Sequence, residues 1–159
     1  MTADGPVQVL APVAGRAIRL ADVPDPVFSA GMVGYGAAID PPRGVIDAVA
    51  PVSGKLLKLM PHAYVVLTTG NVGVLVHLGL DTVGLKGTGF TVHASQGDEV
   101  TAGQVIVTYD VPSVMANGLN PIVPVVVMDE REPGTIVVSA AVETGADIDS
   151  GAGLFVHTR

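Results

Sequence analysis

The chain has 159 residues, 48% of them hydrophobic and 14% charged, a balance that suits a compact domain and argues against disorder. A net charge of −7, with only eight Lys and Arg, excludes a binder of nucleic-acid phosphates and suits docking to basic partners. Cysteine is absent, which removes disulfides, thiolate metal sites and a cysteine nucleophile. The length fits one domain over residues 1–159. The opening "MTADGPVQVLAP" lacks the basic start and long apolar run of a signal peptide. No stretch reaches the roughly 18 apolar residues of a membrane span. A soluble, cytoplasmic protein is expected.

Taken in chain order, the predicted elements are short and Val-rich, with Gly, Pro, Asp and Asn turns between them. "APVAGRAIRL", from Ala11 to Leu20, reads strand, Pro/Gly kink, strand, and recurs as "APVSGKLLKL" from Ala50 to Leu59. The runs "AYVVLTT", "VGVLVHLGL" and "GQVIVTY" follow. "DVPSVMANG", from Asp110 to Gly118, is the best helical candidate, with Asp or Pro at its start and Asn-Gly at its end. "PIVPVVVM" and "TIVVSAAV" complete the set. A second echo relates "QGDEVTAGQVIV", beginning at Gln96, to "TGADIDSGAGLF", beginning at Thr144. Two unequally spaced copies of each argue against a solenoid. The pattern predicts an all-β fold: an antiparallel β-sandwich, barrel-sandwich-like, with little helix, the echoes supplying paired elements to its two sheets.

The segment "HAYVVLTTGNVGVLVH", His62 to His77, reads as a hairpin. A turn centred on Thr69 and Gly70 sets Thr68 opposite Asn71, Tyr64 opposite Leu75, and His62 opposite His77. Opposed residues share a face with Cβ atoms about 4.5–5.5 Å apart. One face then carries Ala63, Val65, Leu67, Val72, Val74, Val76, Leu78 and Leu80 and is core. The other carries His62, Tyr64, Val66, Leu75, His77 and Gly79, an apolar patch holding two imidazoles, as expected of a docking surface. A one-residue slip exchanges the faces.

Two neighbouring imidazoles suit a metal pair, an acid/base pair, or a nucleophile with a hydrogen-bonding neighbour. Zinc needs a third protein ligand. Asp81 is the nearest candidate, but on an extended strand it lies about 13 Å from His77 and reaches it only if the chain turns after Gly79. His93 and His157 have no paired partner and are expected on the surface.

These residues carry a resemblance. "VPDPVF", "HAY", "VLVHLGLDTVGLKGTGF" and "GDEVTAGQVIVTYD" stand in the order and at the spacing of the glucose-type IIA domains of the bacterial phosphoenolpyruvate-dependent sugar phosphotransferase system. The likeness runs from about Val9 to Val156. It implies that His77 accepts a phosphoryl group from the phosphocarrier HPr and passes it to a IIB domain of a sugar permease. It implies that His62 hydrogen-bonds that group without being phosphorylated, and that Asp25 and Asp81 are rim carboxylates meeting basic partners. Val27 and Phe28 fall in the surrounding apolar ring. No cofactor is expected beyond the phosphohistidine intermediate; zinc could sit at His62 and His77 without being required. Membrane contact is expected only through the permease.

The sequence departs from the family pattern in three places. Met60 and Pro61 precede His62 where the family often has a Thr two residues before that histidine. Asn71 stands six residues before His77, where Gly is common; Asn also tolerates a left-handed backbone. No amphipathic membrane-touching helix opens the chain. Two other readings fit less well. Lipoyl or biotinyl carriers need a Lys at a hairpin tip flanked by Met or acidic residues, and Lys55, Lys58 and Lys86 lack that setting. Lysostaphin-type zinc peptidases need H-x-H, and Gly79 occupies the third position of "HLG".

Overall fold

The computed structural model describes residues 5–158; residues 1–4 and 159, the two ends of the expected domain and the first residues of the N-terminal stretch, lie outside it. The first half contains β1 (Val7–Leu10), β2 (Gly15–Arg19), α1 (Pro26–Ser29), β3 (Gly34–Asp40), β4 (Val45–Val49), β5 (Gly54–Met60), β6 (Ala63–Leu67) and β7 (Gly73–His77). The second contains β8 (Phe90–Val92), β9 (Glu99–Val100), β10 (Val105–Asp110), α2 (Val111–Ala116) and β11 (Val123–Met128), then β12 (Ile136–Val138), α3 (Ala140–Thr144), β13 (Asp147–Ile148) and β14 (Gly153–His157). Single 3₁₀ turns occupy Leu20–Asp22, Thr82–Leu85 and Pro133–Thr135. The expected Asp110–Gly118 helix is α2: Asp110 caps it by accepting from Ser113 N–H at 3.1 Å, and Gly118, with φ +77°, ends it.

A curled eight-stranded sheet runs β13-β2-β3-β11-β7-β6-β5-β9, and two three-stranded sheets, β1-β14-β12 and β4-β10-β8, complete an antiparallel sandwich. Residues from all three sheets meet in the main core, including Val9, Leu154 and Phe155, Ala48, Ile106 and Tyr109, and Val74, Val76 and Val125. The opposite face of the large sheet buries a second cluster. There Leu20, Val23 and Phe28, from the segment between β2 and β3, cover Ala38, Val65, Leu75 and Val126. Strands covered on both sides need apolar residues at consecutive positions. This is why Val123–Val127 and Ala63–Val66 read as unbroken apolar runs.

The echoed sequences mark a pseudo-twofold relation. Leu10 N–H donates to Pro51 O at 2.9 Å, and Val49 N–H donates to Pro12 O at 2.9 Å. Ala17 N–H donates to Ala146 O at 2.9 Å, as Leu56 N–H does to Asp98 O at 2.8 Å. The glycines of the two kinks are equivalent too: a Cβ on Gly15 would lie 2.2 Å from Asp40 O, and one on Gly54 2.2 Å from Leu67 O. Their φ angles of +147° and +153° also favour glycine. Contrary to expectation, the copies of the first echo do not divide between two facing sheets. They supply β2 and β5 at opposite ends of the same large sheet, while the strands before them, β1 and β4, belong to the two small ones.

The register of the β6–β7 hairpin differs by one residue from the expected one. Leu67 pairs with Gly73, Val65 with Leu75, and Ala63 with His77. The loop holds three residues, closed by Thr68 N–H to Val72 O at 2.9 Å and Asn71 N–H to Thr68 O at 3.0 Å. Asn71 adopts φ +64°, the left-handed third position of such loops. The slip exchanges the faces of β6 alone. Tyr64 and Val66 enter the main core, and Ala63 and Val65 join Leu75 on the other side.

Candidate functional site

His77 is the last residue of β7, where the cover over the second cluster ends. Phe28 lies against it, with ring centroids 5.3 Å apart. Asp25 sets Phe28 there: its carboxylate caps α1, accepting from Val27 N–H at 2.9 Å and Phe28 N–H at 3.4 Å, and Pro26 follows as the first helical residue. His62 approaches from another side. It occupies the two-residue turn between Met60 and Ala63, which pair across β5 and β6. A turn residue escapes strand alternation, so the ring swings to the His77 face despite the changed register. The two imidazoles meet edge-on, with centroids 5.1 Å apart and planes at 73°. His62 O accepts from Leu78 N–H at 2.7 Å, tying the turn to the end of β7.

His77 Nδ1 lies 2.6 Å from Gly79 O. A carbonyl only accepts, so Nδ1 carries the proton and the lone pair of the neutral ring is on Nε2. Burial holds the His77 pKa below its ordinary 6.5, opposed by the Gly79 bond and by the charges of Asp25 and Asp81. Burial, then the neighbouring His77, lowers the pKa of His62 likewise. Both shifts favour the neutral form of each ring. The arrangement offers one oriented nitrogen nucleophile in an apolar surround, with a second imidazole beside it.

The structure thus gathers His77, His62, Asp25, Phe28 and Gly79, whereas Leu75, expected on the docking face, is buried in the cluster beneath. Val27, 45% exposed, and Asp81, at the exposed turn with φ +60°, flank them in the chain. Tyr64 is a correction: it is fully buried in the main core, its hydroxyl donating to Val49 O at 2.7 Å, and forms no part of a docking surface. His157 is another. It is buried, and its Nε2 lies 2.6 Å from Glu130 Oε1. His93 is exposed as expected and bonds Thr108 Oγ1 at 2.6 Å. Among the described residues no three His, Asp or Glu side chains gather to hold a metal, so Asp81 does not complete a zinc set with the two histidines.

Sequence reasoning did not single out three exposed apolar residues that lie close to these in the chain. Met32, 63% exposed, donates its N–H to Val27 O; Met60, 42% exposed, stands two residues before His62; Val83, 65% exposed, stands two residues after Asp81. Single apolar residues in turns carry no period. Their adjacency to functional residues was the only available signal. Thr82, fully buried behind Gly79, was missed for the same reason.

Residues 7–132 match the model of the family described as phosphoenolpyruvate-dependent sugar phosphotransferase system, EIIA 1. The chain belongs to this family. Its relatives include both EIIA components and longer components that carry an EIIA unit. The glucose-specific EIIA component of Halalkalibacterium halodurans is 39% identical over 140 residues, covering 87% of this chain and 80% of the relative. The mannose-specific EIIBCA component of Corynebacterium glutamicum is 40% identical over 82% of this chain but only 19% of that longer protein. The solved structure of glucose permease IIA from Mycoplasma capricolum superposes with a TM-score of 0.85 at 34% identity, covering 99% of each chain. This EIIA chain therefore shares the fold of that solved structure over nearly its whole length. Among its described residues no helix is long and apolar enough to cross a membrane.

Proposed function

We propose that this EIIA component is a phosphohistidine carrier that accepts a phosphoryl group from phospho-HPr on His77 Nε2 and donates it to a IIB domain. The glucose-specific relatives point to coupled uptake and phosphorylation of a glucose-type sugar, in the cytoplasm, with membrane contact only through the permease. The observation that carries this reading is the Nδ1–H···O=C bond from His77 to Gly79, which leaves Nε2 free in a neutral, half-buried ring.

In the transfer, the Nε2 lone pair attacks phosphorus in line as the N–P bond of the donor imidazole breaks. The Nδ1 proton stays on the ring against Gly79 O, which offsets the positive character the imidazole acquires. His62 donates a hydrogen bond to the phosphoryl oxygens. The apolar side chains of Phe28, against His77, and of its exposed neighbour Val27 help a partner expel water, protecting the labile N–P bond. Asp81 supplies a rim charge toward a basic partner, and Asp25 a second charge beside the cap. No cofactor takes part, and a zinc ion at the two histidines is not needed.

The test is intact mass after incubation with phosphoenolpyruvate, Enzyme I and HPr. A gain of one acid-labile phosphoryl group, mapped to His77 and absent in His77→Ala, is expected. Phosphate on His62, or an unchanged gain in His77→Ala, overturns the assignment.

A further inference from the structure

The Gly79 carbonyl determines which nitrogen of His77 reacts, and its own direction needs a cause. Gly79 has φ +87° and lies two residues past the end of β7, outside its strand pairing. The two peptide planes that flank it are each tied from behind. On one side, Leu78 O accepts from the Thr82 hydroxyl at 2.8 Å. On the other, Leu80 N–H donates to Asn120 O at 2.9 Å. In a planar trans peptide the C=O points opposite to the N–H. Anchoring Leu80 N–H on Asn120 therefore turns the Gly79 carbonyl the other way, onto His77 Nδ1. Asn120 is itself held, its side-chain oxygen accepting from Ile122 N–H at 3.0 Å while Tyr109 donates to Pro121 O at 2.9 Å.

Thr82 is the side chain that closes this latch. It is fully buried, and the hydroxyl's partner is Leu78 O. Its methyl occupies the space behind Gly79, where an added Cβ would lie 2.5 Å from Thr82 Cγ2. We infer that Thr82 is a positioning residue for the phosphoryl acceptor: with Asn120 it aims the Gly79 carbonyl and so selects the Nδ1–H tautomer of His77. The inference rests on reading His77 as that acceptor, but the tautomer is measurable without any transfer.

Nitrogen-15 NMR of the imidazole, at a pH where His77 is neutral, reports the tautomer directly. Wild type is expected as Nδ1–H. Thr82→Val keeps the shape and removes the hydroxyl; a mixed tautomer population is expected, with phosphoryl acceptance from HPr slowed about tenfold, the lower end for weakening one hydrogen bond to a charged group. Thr82→Ser, which keeps the hydroxyl, is expected to restore Nδ1–H. Thr82→Ala against Thr82→Ser isolates the hydroxyl again, so the test does not depend on the valine variant folding. A wild-type tautomer in folded Thr82→Val or Thr82→Ala overturns the inference. Failure of wild type to take phosphate, with the tautomer responding as described, overturns the proposed function and leaves the positioning role standing.

Discussion

At the scale of single residues, Asp25 combines two duties that the sequence left merged. Its carboxylate is engaged in capping α1, and its charge also raises the His77 pKa. Asn caps a helix about as well as Asp, while Ala does not. Asp25→Ala is therefore expected to cost about 1 kcal/mol in urea unfolding and Asp25→Asn distinctly less. Both should lower the titration midpoint of His77, because both remove the charge; equal stability losses in the two variants would show that the cap is idle. The unsubstituted His77 should titrate below 6.5, since burial outweighs its carboxylate neighbours. The sign for folding follows. The unfolded chain takes up protons near pH 6.5 that both native histidines resist, so their stabilising contribution is present above that pH and is lost as pH falls. An NMR titration of the ring C–H signals checks this; a His77 midpoint at or above 6.5 contradicts it.

The element that matters most is the β6–β7 hairpin. Its three-residue loop puts Val65 and Ala63 under the site and Tyr64 into the core, and Asn71 is the residue that makes the loop geometrically cheap. A β-branched residue at φ +64° clashes with its own backbone. Asn71→Val should lower stability by about 1–2 kcal/mol, whereas Asn71→Gly should stay within about 1 kcal/mol of wild type. Denaturant midpoints for the pair decide the matter; indistinguishable variants would remove the left-handed residue as the determinant of register. Asn71 is legible in the sequence as a tolerated replacement for Gly, yet a Thr-Thr-Gly-Asn turn permits two-residue and three-residue closures alike. In the three-residue closure Tyr64 is buried with its hydroxyl satisfied by Val49 O, a contact that no local pattern announces.

Across the whole molecule, Glu130 joins the large sheet to a small one. It follows β11, accepts from the Thr135 hydroxyl at 2.7 Å and from Arg131 and Glu132 N–H, and meets His157 of β14 at 2.6 Å. The Thr135 and His157 bonds lead in lowering its pKa from 4.5 to about 2. Glu130→Gln should cost about 1–3 kcal/mol at pH 7. The sign is that of a depressed carboxylate: the contribution is present above pH 4.5 and is lost as pH falls toward about 2, so the gap between variant and wild type should close in acid. Thermal melts across that range test it; a gap that does not change with pH would refute the role of the charge.

The order of apolar runs and turns in the sequence already specified short antiparallel strands with little helix, because that pattern is local. It also contained the internal duplication and the two histidines with the motif around them. Tertiary structure alone decided the rest. Which face of β6 is buried depends on one residue of loop length, and His62 reaches His77 because it sits in a turn rather than by strand pairing. The buried His157 finds its partner in Glu130, 27 residues away in the chain, and Gly79 is aimed by Asn120, far from it in sequence. Composition and period record what each segment can bury; which distant carbonyl or carboxylate arrives to satisfy a polar group is settled only when the sheets close.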